Sequence, residues 1–184
     1  MPLSDKQAGV AKGMGAGVMV TLAGMAGMVA LFGRTFGGPD RAGLCAVALL
    51  APALALAFSI ARLARHRFFN AEDIDGSASS AGSDTARQLQ SLLQNTLEQA
   101  VLAALAYAGW CALAPDFLMP ALPAAALLFL LGRILFFAGY AHGAQSRAFG
   151  FALTFYPTLA LVFGDAGFVI VNAAGLLRQF AAGG

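Results

Sequence analysis

The stretch from Ala121 to Gly143, ALPAAALLFLLGRILFFAGYAHG, holds one arginine, Arg133, in a run that is otherwise apolar or small as far as Tyr140 and His142. A hydrocarbon core of ~30 Å takes ~20 apolar helical residues to cross. This stretch therefore reads as a membrane span, and four further segments read the same way. They run from about Met14 to Phe32, Leu44 to Ala64, Arg87 to Leu113 and Phe149 to Leu177, each bounded by charge, Pro or Gly. The composition agrees: 59% of the 184 residues are hydrophobic and 11% charged, with a mean hydropathy of +0.75. A soluble domain is usually about half apolar and a quarter charged, and a disordered chain has the opposite bias. The chain is an all-α, polytopic membrane protein.

Several function classes fall away at once. A net charge of +2, scattered along the chain, gives no basic patch for nucleic acid. Cys45 and Cys111 lie inside apolar runs, and neither they nor His66 and His142 fall at metal-ligand spacing, so no metal site is expected. Ser59 and Ser146 stand in no nucleophile motif. Gly13, Gly17, Gly24 and Gly27 in the first segment allow another helix to approach closely, and no strand precedes them to make a phosphate loop. Lys6 and Lys12 precede that segment as they would in a signal peptide, but its core is long and Val29-Ala30-Leu31-Phe32 offers no cleavage site.

The connections set the expected topology. The Ser/Gly/Ala run GSASSAGSD places a flexible loop between Asn70 and Thr85. Lys6, Lys12, Arg62, Arg65, Arg67, Arg87 and Arg147 fall on one side of five spans, against Arg34, Arg41 and Arg178 on the other. The richer side is expected to be cytoplasmic, which puts the amino terminus inside. The Ala/Gly-rich composition suggests a bacterial inner membrane. The fifth segment, about 29 residues or roughly 43 Å long, exceeds an upright crossing. It must protrude, bend at Pro157 or break at Gly164-Asp165.

Two spans carry polar residues in a pattern. In the third segment Arg87, Ser91, Gln94, Asn95 and Glu98 share one helical face. In the fourth, Arg133, Tyr140 and Arg147 recur every seven residues and predict a second stripe, about 21 Å long if the helix is continuous. Lipid satisfies neither stripe. An ion pair between Glu98 and Arg133 would explain the charges structurally, but one carboxylate faces an excess of arginines. That excess, beside two amides, suits a small ligand with two carboxylates and one ammonium group, and glutathione has that inventory.

These residues carry a family resemblance. GRILFFAGYAHGAQSR, from Gly132 to Arg147, resembles the third core helix of the membrane-associated proteins in eicosanoid and glutathione metabolism, the MAPEG family. It is most similar to the branch of leukotriene C4 synthase and the microsomal glutathione transferases. QNTLE, from Gln94 to Glu98, resembles the Asn-x-x-Glu of the second core helix. The resemblance implies a homotrimer of four-helix transmembrane bundles with glutathione at the subunit boundary. Residues 1–38 would then be an extra amino-terminal transmembrane helix, and residues 39–184 the four-helix membrane domain. It implies that Asn95 and Glu98 hold glutathione, with Glu98 receiving the γ-glutamyl ammonium, and that Gln94, Arg133 and Tyr140 line the same cleft. Arg147 would be the catalytic residue facing the thiol. An arginine ending the first core helix also contacts glutathione in the family, and Arg65 and Arg67 both fit that place. Ser91 stands where the family often has Arg, and Phe136 where it often has His or Tyr.

The implied activity is an integral membrane glutathione transferase, with peroxidase activity as an extension, acting on hydrophobic electrophiles. The alternative is a non-catalytic lipid-binding or scaffold protein of the same fold. A small transporter stands third, since no inverted repeat or paired discontinuous helices accompany the charges.

Overall fold

The computed structural model describes residues 4–36, 38, 40–76 and 82–182, with side chains described as far as residue 174. Five helices follow one another: α1 (Asp5–Phe32), α2 (Arg41–Phe69), α3 (Asp84–Leu113), α4 (Ala121–Gly139) and α5 (Ala144–Ala182). All five are long and apolar enough to cross a membrane, α4 together with the short turns that flank it. Side chains cap several starts. Ser4 accepts from the Gln7 backbone N–H while its own N–H donates to Gln7 Oε1 at 2.9 Å, and Asp40 and Ser83 cap α2 and α3.

The packing is built on small residues. Ala48, Ala51 and Ala55 of α2 join Ala100, Ala103 and Ala106 of α3 in one buried cluster, with Tyr107, Leu122, Phe129 and Leu161 filling it. α4 lies along α5, α2 along α3, and α1 along α5 with a smaller contact to α4. In the first segment, Gly13 and Gly17 do seat another helix, since a Cβ at Gly17 would run into the Ala152 Cβ of α5. Gly27 does not, having nothing near it. Arg41 anchors the start of α2, donating to the Cys111 carbonyl at 2.9 Å and pairing with Asp116 at 2.5 Å. Cys45 is half-buried and Cys111 buried beside this anchor.

Two sequence expectations change, and one left open is resolved. Of the outcomes open for the fifth segment, the break at Gly164-Asp165 does not occur: α5 is one helix of 39 residues with Pro157 inside it. At about 58 Å it outruns the bilayer. The fourth segment is not continuous to Arg147. α4 stops at Gly139, a single turn covers Tyr140–His142, and Gly143 reverses the chain at φ +94°, a conformation that glycine adopts without strain. Arg147 therefore belongs to α5, and the seven-residue spacing is not a stripe on one helix.

The connection after α2 is also tighter than a flexible loop at its ends. Ala71–Asp73 forms a short helical turn. Asp73, almost fully buried, accepts from the Ser83 backbone N–H at 2.8 Å, the Ser83 hydroxyl at 2.6 Å and His66 Nε2 at 2.8 Å. The middle of GSASSAGSD, residues 77–81, lies outside the described residues.

Candidate functional site

A cavity of about 320 Å³ opens where α3, α4, the Tyr140 turn and α5 meet α1. Asn95, Tyr140 and Arg147 line it, so three of the residues singled out by sequence come together although they lie on three different elements. The turn at Gly143 brings this about, by folding Arg147 back over the ring of Tyr140 with its guanidinium carbon 4.4 Å from the centroid. That is close enough for a cation–π interaction, and it holds the planar guanidinium against an aromatic face. Phe136 and Phe151 supply apolar wall, and the Phe136 ring meets Tyr140 edge-on at 5.4 Å.

Arg133 stands behind this wall. It is 1% exposed, and its charge is held by neutral partners rather than a carboxylate. Nη1 donates to Asn95 Oδ1 at 2.9 Å, Nε donates to Thr154 Oγ1 at 3.1 Å, and the guanidinium carbon lies 4.5 Å from the Phe136 ring centre. Nη2 is buried with no hydrogen-bond partner among the described residues. Because an arginine only donates, this contact fixes Asn95 with Oδ1 toward Arg133 and leaves the Nδ2 hydrogens out of it. The ion pair between Glu98 and Arg133 that would explain the charges structurally is not formed. Sequence spacing offered no sign of Thr154, which completes the brace from a full helix away.

The other expected residues lie elsewhere on the single chain. Gln94 Nε2 donates to Glu98 Oε1 at 2.9 Å, and both side chains are exposed on α3 outside the cavity. Glu98 is about 21 Å along α3 from Asp84, near the helix midpoint. Arg87, expected on the same stripe, turns back to Asp84 and the Gly82 carbonyl. Arg65 lines a separate polar cavity of about 380 Å³ with Arg62, His66, Asn70 and Thr85, whereas Arg67 donates to Gln90 Oε1 at 3.2 Å. His66 is bound to Asp73, but no cluster of ligands suited to a metal ion occurs among the described residues.

The cavity has two further walls that the sequence did not announce, Val10 and Met14 of α1. Their signal lay in the glycines beside them, which mark where α1 docks.

No curated protein and no solved structure matches this chain. The sequence profile of the MAPEG family matches residues 42–166, from the first turn of α2 to Ala166 in α5, and α1 lies outside the match. With that match over most of its length, the chain belongs to the MAPEG family.

Proposed function

We propose that the protein is an integral membrane glutathione transferase that joins the thiolate of glutathione to hydrophobic electrophiles. The observation that carries this reading is the cavity in which Arg147, Tyr140 and Asn95 converge from three elements. A free thiol has a pKa near ~8.5, so little of it is nucleophilic thiolate at neutral pH. Arg147 supplies a guanidinium charge at the polar end of a largely apolar cavity. Lowering the bound thiol's pKa by one to two units corresponds to roughly 1.4–2.7 kcal/mol of thiolate stabilisation. The sulfur's electron pair then forms the C–S bond. A leaving group departs with its bonding pair or, on a conjugated acceptor, the resulting carbanion takes a proton from water. The same thiolate would cleave the O–O bond of a hydroperoxide, giving an alcohol and a sulfenic acid on glutathione, and a second glutathione thiol would displace water from that sulfur to close the disulfide.

The assembly belongs to the same proposal. Glu98 and Gln94 sit mid-span on an exposed face of α3, beside Leu97, Val101 and Leu105, which are 40%, 50% and 68% exposed. Hydrocarbon does not satisfy a carboxylate and an amide at that depth. A homotrimer that turns this face to a neighbouring subunit does, and it brings Glu98, Gln94 and an arginine ending α2 (Arg65 or Arg67) to the glutathione boundary. Residues 39–184 form the family's four-helix domain in this reading, and residues 1–38 are an added helix. The amino terminus faces the cytoplasm, probed by labelling a cysteine at Ser80 from either side of what we take to be a bacterial inner membrane.

Glutathione that binds the folded protein must raise its melting temperature in detergent. The expected result is a concentration-dependent rise together with thiolate absorbance at neutral pH. No shift at millimolar glutathione would support the non-catalytic lipid-binding reading instead.

A further inference from the structure

We infer that α1 is a working wall of the reaction cavity, and that Met14, with Val10, sets the length of the apolar acceptor that reaches the thiolate. This rests on the reading that glutathione binds beside Arg147. Val10, Gly13, Met14 and Gly17 lie at helical spacings of three, four and seven, so they share one face of α1. Gly13 and Gly17 seat that face on Ala148 and Ala152 of α5, where a side chain at either glycine would crowd the neighbouring helix. Ala148 follows Arg147 directly and itself lines the cavity. The α5 surface that presents Arg147 is thus continuous with the surface that docks α1. Gln145 ties the end of α1 as well, donating to the Asp5 carbonyl at 3.0 Å. The glycine contacts and this hydrogen bond fix the register of α1, and the register places Val10 and Met14 over the cavity.

The cavity's 320 Å³ lies near the lower end of the ~300–1,000 Å³ usual for ligand sites. In so small a space each wall side chain decides what fits. Met14 is unbranched and adaptable, and it brings no hydrogen-bonding group strong enough to select a polar acceptor. The class that fits is an uncharged, short-chain apolar electrophile, such as a 2-alkenal. Its β-carbon takes the sulfur's electron pair, the π electrons move to the carbonyl oxygen, and the enolate takes a proton from water. One methylene in an apolar pocket shifts discrimination by about 10–200-fold.

The test measures kcat/KM across 2-alkenals of increasing chain length, using full-length protein in detergent. Met14→Ala should raise the ratio of long to short acceptors about tenfold or more, and Met14→Trp should lower it as far. The KM for glutathione and the thiolate absorbance of the bound complex should stay within about twofold of wild type, which also shows that the variants are folded. Met19→Ala, at a residue 67% exposed on another face of α1, should leave the ratio unchanged. If the Met14 variants keep the thiolate signal but scale every acceptor alike, α1 does not set acceptor length. If the wild-type protein forms no thiolate, the reading of the site fails and this inference falls with it.

Discussion

At the end of the bundle where α2 begins and α3 stops, Tyr107, Trp110, Leu122 and Phe129 fill a core whose remaining members are largely alanines. At the other end a smaller cluster gathers Leu63, Leu89, Leu92 and Phe136, with Phe137, Tyr140 and Phe151 packed around them. The first region packs within one chain, with the Tyr107 hydroxyl and Asp165 Oδ1 buried there without a hydrogen-bond partner among the described residues. Arg41 meets the Cys111 carbonyl and Asp116, and the Trp110 indole N–H finds the Leu118 carbonyl at 3.3 Å. The second region leaves Arg133 Nη2 without a partner among the described residues and the Gln94–Glu98 pair exposed on a membrane-spanning helix. Tight packing of small residues stabilises the first, whereas the second is held open by aromatic rings around charged groups. On the function proposed above, the contrast places fold stability at one end and ligand chemistry at the other, and that division can be broken experimentally.

The largest expected effect is on stability. Trp110 is 6% exposed and packs against Phe168 at 5.5 Å between ring centres. Trp110→Ala should cost about 3–5 kcal/mol, as large-to-small core changes do, and leave the glutathione Kd of the folded fraction within about twofold. Chemical denaturation in detergent measures the first quantity and isothermal titration the second. A matching loss of affinity would erase the division between the two ends.

Arg147→Ala should do the reverse. Removing the guanidinium that rests on Tyr140 should cut turnover about tenfold or more, since ~1.4 kcal/mol of lost thiolate stabilisation suffices. The thiolate absorbance of bound glutathione should vanish at neutral pH, and native mass spectrometry should find the same oligomer, a trimer on the proposal above, as in the wild type. Arg147→Lys should recover part of the activity, because an ammonium lacks the planar face that stacks on the ring. A fully active Arg147→Ala protein would pass the role to Arg133, whose guanidinium already touches the cavity wall through Asn95 and Phe136.

Glu98 tests whether the open region is completed by a neighbour. Glu98→Gln should weaken glutathione binding about tenfold, or ~1.4 kcal/mol, without dissociating the oligomer. If affinity held while the trimer fell apart, Glu98 would be an assembly residue and the ligand boundary would lie elsewhere.

How much of this was legible in the sequence differs between the two regions for a physical reason. Span positions follow from apolar runs such as Ala121 to Gly139, because transfer into lipid depends on composition alone. Helix ends and cross-helix contacts depend on single residues acting at a distance. The seven-residue spacing of Tyr140 and Arg147 read as one helical face, although Gly143 turns the chain between them. The two residues meet because the next helix folds back, which no periodicity reports. The brace of Arg133 on Thr154, 21 positions away, and the seating of α1 on Ala148 and Ala152 are of the same kind. The glycines of α1 showed that something docks there, but not which helix or which cavity it covers.

The smallest expected effect concerns the link between α2 and α3, on the side of the open region. The Ser83 hydroxyl and backbone N–H, and after them His66, hold the Asp73 carboxyl below its ordinary range despite burial, which acts the other way. An unfolded aspartate takes up its proton near ~3.9, and the folded Asp73 only at lower pH. Across that window the unfolded state binds more protons, so stability falls as pH falls and the contribution is gone below the folded pKa. The wild-type melting temperature should therefore drop more than that of Asp73→Asn between about pH 5 and pH 3. Ser83→Ala should fall between them, because it removes the hydroxyl donor while the backbone N–H of residue 83 still reaches the carboxylate. Parallel pH profiles for wild type and Asp73→Asn would mean that the latch is not part of the folded state's acid sensitivity. The thiolate absorbance of saturating bound glutathione at neutral pH should be the same in all three proteins, since no latch residue lines the cavity that holds Arg147.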